Sequence, residues 1–434
     1  MKIKKPAIPI FFLLLILSTT NIAYGFQYDN TSVLNEALYK ESIHSVQLYR
    51  NGWKLSYPII DLNGELGLEL GFDDIATDVA NYCYKIIHCD FDWVPSNINE
   101  GDFADGILPA QISEYAQSFN TYFSYIHYKL KIPNDDFRFL ISGNYALVVF
   151  EDMDESKIAF VKRFMVSDAL VNVSASVNRP VLSMFRNSSH EVNFTIETGS
   201  FEIENPYNDI KVAILQNGRW DQSINNLKPL FDKNGILEYN YQMENIFPAG
   251  NEYRWFDIKS MRYQSPYVKS VVYEGGHFNV LLFPDPIKSN SRYFFEEDLN
   301  GKYFIEIQEE EKDDTDADYV SVYFSLPFDA PMIDGDYYVM GALAGPSYTE
   351  QNKMKYNFET KSYELTLLLK QGYYNYRYEF LQEGKTTGDA SITEGNYYET
   401  ENDYVILVYH RGSSSRYDRL VGYQIGNSLN KNAK

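Results

Sequence analysis

Tyr374, Tyr376 and Tyr378 recur at every second position in LLLKQGYYNYRYEF, Leu367 to Phe380. The stretch reads as an aliphatic strand, a Gln-Gly turn and a second strand, a hairpin whose alternation puts the three rings on one face. Such a row can stack on sugar rings, dock a protein or build a sheet interior. His88, Cys89 and Asp90 stand side by side in IIHCDFDW, and imidazole and thiolate suit zinc. Adjacent strand residues point to alternate faces, so ordinary packing is the expectation there. The strongest charge run is EEEKDDTDAD, Glu309 to Asp318. Its order fails as a calcium loop because Tyr319 stands where the turn glycine is needed, and a solvated acidic loop is expected. Sixty acidic residues put carboxylate pairs everywhere, so spacing neither supports nor excludes a glycosidase-like pair. The sequence contains no Gly-x-Ser-x-Gly, phosphate loop, His-Glu-x-x-His or dinucleotide glycine fingerprint, and its six histidines are scattered. The chain is therefore read as a non-enzyme with no catalytic, cofactor-binding or metal-binding residues.

The elements that would carry these side chains are short. The 434 residues exceed one core and suggest two or three domains. Tyr and Phe are abundant, 38 and 28, in apolar runs broken by Asn-Gly, Pro and Asp-rich punctuation, the pattern of antiparallel β-domains. The expected fold class is all-β, as tandem immunoglobulin-like or early-set sandwiches. The strand runs divide the chain into a first sandwich over 26–168, a second over 169–283, a hairpin about Asn300-Gly301 with an acidic linker over 284–318, a third sandwich over 319–425, and a tail over 426–434. An irregular insert, Pro95 to Asn120, interrupts the first. Residues 1–25 read as a signal peptide, with Lys2, Lys4 and Lys5 ahead of an apolar stretch about half the roughly 20 residues a spanning helix needs. A product exported without direct membrane insertion is expected.

The net charge of −22 disfavours nucleic acid and anionic lipid, and points to a basic or mixed protein surface as partner. Cys83 and Cys89 are the only cysteines. On one strand they stand roughly 20 Å apart, beyond disulfide reach, so free buried thiols are expected. Trp53, Trp93, Trp220 and Trp255 sit at turns or strand ends, where an indole anchors a domain edge or a partner.

Six ordered segments, QLYRNGWKLSYPIIDLN, IIHCDFDWVPSNI, SGNYALVVFED, KVAILQNGRWDQSI, NEYRWFDIKSMRYQS and FFEEDLNGKYFI, closely resemble the plug protein family of the type IX secretion system in Bacteroidota. The likeness spans roughly Ser45 to Ile307 and continues through the last domain. It implies a periplasmic non-enzyme that closes the periplasmic mouth of the giant outer-membrane β-barrel translocon when no shuttle protein is engaged. The partner-binding segments are expected at the turns holding Trp93 and Pro95, and Trp220 and Asp221. The last domain also looks like the early-set sandwich of glycogen-binding modules, which implies the alternative of an envelope carbohydrate-binding protein. Gly345-Pro346-Ser347-Tyr348 stands where such a module carries a loop tryptophan, and no Trp follows Trp255, so carbohydrate is disfavoured and the tyrosine row is expected to build the sheet.

Overall fold

The apolar runs ALVV, VAIL and VILV belong to strands buried on both faces, and that requirement organises the molecule. The structure is a computed structural model that describes residues 32–76, 78–308 and 313–429. The expected signal peptide lies outside the described residues, as do residues 309–312 of the acidic run and the last five of the expected tail.

An outer sheet is formed by Ile43–Arg50, Leu68–Asp74, Ile126–Ile132 and Glu114–Gln117, all antiparallel. Behind it lies a second sheet built on Tyr82–Cys89, Gly143–Glu151 and Ile158–Ser167. Leu70, Phe72 and Tyr128 of the first meet Tyr82, Leu147 and Phe164 of the second in one core. Complete burial of such side chains contributes about 1.5–3 kcal/mol each. The expected irregular insert is more ordered than its composition suggests. It holds a helical turn, Glu100–Phe103, and short strands Ala110–Gln111 and Glu114–Gln117, one joining each sheet.

The other face of the second sheet is also covered. Cys83, Cys89, Ala146, Val148 and Met165 pack against Ala213, Leu215, Val405, Leu407 and Tyr409. These latter residues lie on a third sheet, Ile224–Asn225, Ile210–Gln216, Asp403–His410 and Arg419–Asn427, whose far face packs on a fourth containing Asn172–Asn178, Ser189–Glu197 and Ile236–Tyr239. Four sheets are thus stacked face to face. Period-two alternation sends Val212, Ile214 and Ile406 one way and Ala213, Leu215 and Val405 the other, which is why these strands read as continuous apolar runs.

The expected second and third domains therefore have different limits. The second sandwich is completed by the C-terminal strands, because Ile210–Gln216 pairs with Asp403–His410. The third is an insertion within it, running from Arg254–Asp257 to Gly372–Gln382 around a core that includes Phe256, Val322 and Tyr374. Two expected hairpins are also absent. Ser362–Lys370 and Gly372–Gln382 belong to opposite sheets of this sandwich, pairing with Tyr319–Pro327 and with Arg254–Asp257 respectively. The chain turns a corner at Gln371-Gly372, where a Cβ on Gly372 would come within 2.3 Å of the Phe304 carbonyl oxygen. Around Asn300-Gly301 only Tyr303–Ile305 is a strand, and it pairs with Gly372–Gln382.

A buried carboxylate ties the inserted domain to the first. Asp73, wholly buried, accepts from Lys370 Nζ at 2.6 Å and the Tyr319 hydroxyl at 2.6 Å, and its other oxygen meets His127 Nδ1 at 2.5 Å. Burial alone would raise this carboxyl, but Lys370 and His127 more than offset it and hold it below the ordinary range. The acidic run is not a solvated loop in its described part. Asp314 pairs with Lys54 and Lys129, and Asp318 accepts the backbone N–H groups of Tyr122 and Phe123. The second contact is made by Arg219, which pairs with Glu379 of the inserted domain and with Asp221.

Substituting Asp73→Asn leaves Lys370 buried beside a neutral amide, and should cost about 3–5 kcal/mol in urea unfolding. A loss below about 1 kcal/mol would show that the cluster does not hold the domains. Burial raises Glu379 and Asp314, but Arg377 and Arg219, and Lys129 and Lys54, bring each down to about 2. These two contribute stability that is lost as pH falls from about 4 toward about 2. Burial pushes Asp298 and Glu252 up to about 7, so their contribution is full below about pH 4 and is lost as pH rises to about 7. Burial of His88, whose pKa is lowered to about 4, acts in the opposite sense and adds stability as pH rises from about 4 to about 6.5, so the balance of the two sets the profile, and Asp298→Asn with Glu252→Gln should lessen the decline that the two carboxyls cause between about pH 4 and about pH 7. A decline unchanged by the double substitution would refute that assignment.

Candidate functional site

The tyrosine row is interior. Tyr374, Tyr376 and Tyr378 are 1%, 2% and 0% exposed, and the Tyr376 and Tyr378 hydroxyls both donate to Asp285 Oδ2, at 2.7 and 2.6 Å. Tyr348, in the loop where a glycan module carries its tryptophan, donates to Glu379 and accepts from Gly388 N–H at 2.7 Å. Neither offers a free stacking face of the kind a sugar platform uses.

His88 is buried, its ring nitrogens on Ser96 Oγ at 2.8 Å and the Ser142 carbonyl at 3.2 Å, and burial lowers its pKa to about 4. Cys83 and Cys89 are free and buried, and burial pushes the Cys89 thiol up to about 12. Among the described residues no three potential metal ligands come together.

A large concavity lies where all three sandwiches meet. It has a volume of about 890 Å³. The first domain contributes Tyr57, Trp93 and Arg163, the second Gly218, Trp220 and Asp221, and the inserted domain Asn300, Lys302 and Ser347. Asn217-Gly218 makes the tight turn its sequence suggests, both with positive φ, and a Cβ on Gly218 would come within 2.7 Å of the Tyr57 ring. Tyr57 in turn donates to Asp403 at 3.0 Å and lies under Lys302, 3.8 Å from its ring centre.

The expected partner-binding residues map to this junction. Trp93 is only 3% exposed, packed edge to face on Trp220 at 5.1 Å, with the Arg163 guanidinium 4.4 Å above its ring centre. It is thus a junction anchor and not part of an exposed turn, because two sheets converge on its strand end. Trp220 is half-buried beside it, and Pro95 is half-buried and bridges to Cys89. Asp221 is the exposed member of the set, although its carboxylate is held by Arg219.

A separate surface was not anticipated from the sequence. Tyr122 and Tyr273 are 54% and 53% exposed, with ring centres 4.9 Å apart, and Phe278 lies within 5.3 Å of both. Phe119, 73% exposed, is three residues from Tyr122. This cluster straddles the seam between the first and inserted domains. Its only sequence signal is the density of rings in the otherwise polar SFNTYFSY. Exposed clustered aromatics of this kind mark interaction surfaces.

Residues 43–168 match the family model described as the type 9 secretion system plug protein 1st domain. The crystal structure of a hypothetical protein from Parabacteroides merdae ATCC 43184 is similar over 91% of this chain and 100% of that one, at 36% identity and a TM-score of 0.89. No curated protein matches the chain. Among the described residues, no helix is long and apolar enough to cross a membrane. The match of residues 43–168, nearly all of the first sandwich, assigns the chain to the plug protein family of the type IX secretion system.

Proposed function

We propose that this protein is a periplasmic plug, exported by cleavage of its signal peptide, that binds the periplasmic mouth of the outer-membrane β-barrel translocon and closes it when no shuttle protein is engaged. The observation that carries the reading is the match of residues 43–168 to the plug family. The construction of the body supports it. A plug must resist deformation over a broad area and needs no catalytic residue. Four stacked sheets, with a third sandwich clamped at Asp73 and Arg219, meet that demand. Closure is steric, and competition with a shuttle makes it reversible.

The surface we assign to the barrel is the aromatic cluster of Tyr122, Tyr273 and Phe278 at the domain seam. It joins two domains, so it keeps its shape only while they remain docked. The carbohydrate alternative loses its basis, because the tyrosines on which it depended are buried.

Affinity purification of the tagged protein from solubilised envelopes should recover one very large outer-membrane barrel. Tyr122→Ala with Tyr273→Ala should cut that recovery about tenfold, with thermal stability close to that of the parent because both rings are exposed. Recovery of glycans or soluble enzymes without any barrel would overturn the plug reading. Undiminished recovery by the double variant would instead move the contact to another face.

A further inference from the structure

The three-domain cleft contains polar groups that the protein leaves unsatisfied. Arg163 is buried, 8% exposed, and lines the cleft. Its side chain donates to the Leu34 carbonyl at 2.6 Å and to Asn35 Oδ1 at 3.1 Å, both neutral acceptors. Among the described residues no carboxylate forms an ion pair with it. The nearby Glu36 is engaged by Lys162 and by the Arg163 backbone N–H. A buried guanidinium without a carboxylate is unusual, because buried charge is ordinarily paired.

Two other groups lining the same cleft, unlike Arg163, make no hydrogen bond at all. Trp93 Nε1, a donor, and Asn300 Oδ1, an acceptor, are buried without a hydrogen bond. Leaving such groups unmade is costly, and the two come from different domains. A fitting ligand thus presents a carboxylate to Arg163, an acceptor to the Trp93 N–H and an N–H to Asn300. An acidic peptide carries all three. The volume, about 890 Å³, falls within the roughly 300–1,000 Å³ of sites that enclose organic ligands. A sugar fits less well, because Arg163 covers one face of Trp93 and Trp220 abuts the ring, leaving little surface for stacking.

We infer that the cleft between the three sandwiches is a binding site for a short peptide segment bearing a carboxylate, seated at Arg163 and Trp93 and reaching Asn300. This site is distinct from the exposed aromatic seam and does not depend on that seam meeting a barrel. Since the contacts come from the first and the inserted domain, an occupied cleft ties these two together and should resist unfolding better than an empty one.

The test uses the purified full chain, immobilised, with two pools of N-acetylated, C-amidated hexapeptides that are randomised except for a fixed central Asp in one and Asn in the other. The Asp pool should be retained about tenfold better and should raise the unfolding temperature. Ala342→Trp, at an exposed position on the cleft lining, should abolish retention without changing the fold. Trp93→Phe, which keeps a ring but removes the donor, should weaken it several-fold. Equal retention of the two pools, or retention indifferent to Ala342→Trp, would overturn the inference. So would displacement by succinate at matching concentration, which would assign the cleft to free organic acids, or preferential retention of maltohexaose.

Discussion

Asp73 is the constraint on which the arrangement of the molecule depends. A carboxylate wholly removed from water is tolerable only if its charge and lone pairs are met, and here Lys370, Tyr319 and His127 meet them from two domains. Lys370 is equally dependent, with its ammonium shared between Asp73 and the Asp314 carbonyl. Separating the inserted sandwich from the first would strand opposite charges in apolar surroundings, so the pair specifies one docked geometry more than it adds net stability. Both the exposed aromatic seam and the cleft inherit their shapes from that geometry.

The nested connectivity adds a covalent reason for rigidity. The inserted sandwich leaves the second domain after Ile246–Pro248 of the fourth sheet and returns to Asp403–His410 of the third, so both of its ends are tethered to that domain. The second domain is in turn fused to the first through an apolar face, with Cys83, Val148 and Met165 against Leu215, Val405 and Leu407. An interface of this composition resembles a domain core and resists sliding. Tyr57, Trp93 and Trp220 fill the margin of that fused face, where the apolar contact gives way to the polar cleft.

The sites follow from the same division. Aromatic side chains are so numerous that most must be interior, and the alternating tyrosines are used there, with their hydroxyls satisfied by Asp285 or by the Lys370 carbonyl. Rings left over at the seam between domains have no such partner sheet and remain accessible. The acidic residues divide similarly, with Asp314 and Asp318 serving as internal clamps while the remaining excess keeps the outer surface anionic.

Local information was sufficient for the all-β class and for most strands, because period-two alternation and Asn-Gly or Pro punctuation are short-range properties. It also located free cysteines correctly, since extension along one strand excludes their bridging. The family was legible in six ordered segments. Which sheet a strand joins was decided only by the tertiary structure. Nothing within DYVILVYH states that it pairs with a strand nearly two hundred residues earlier and so completes the second domain. LLLKQGYYNYRYEF has the local form of a hairpin, although its halves lie in opposite sheets. Asp73 and Lys370 each break an apolar strand pattern, a sign of special use, but their pairing across 297 residues is a long-range fact. The same holds for Trp93, Arg163, Trp220 and Asn300, whose separate positions carry no hint of a shared cleft until three domains bring them together.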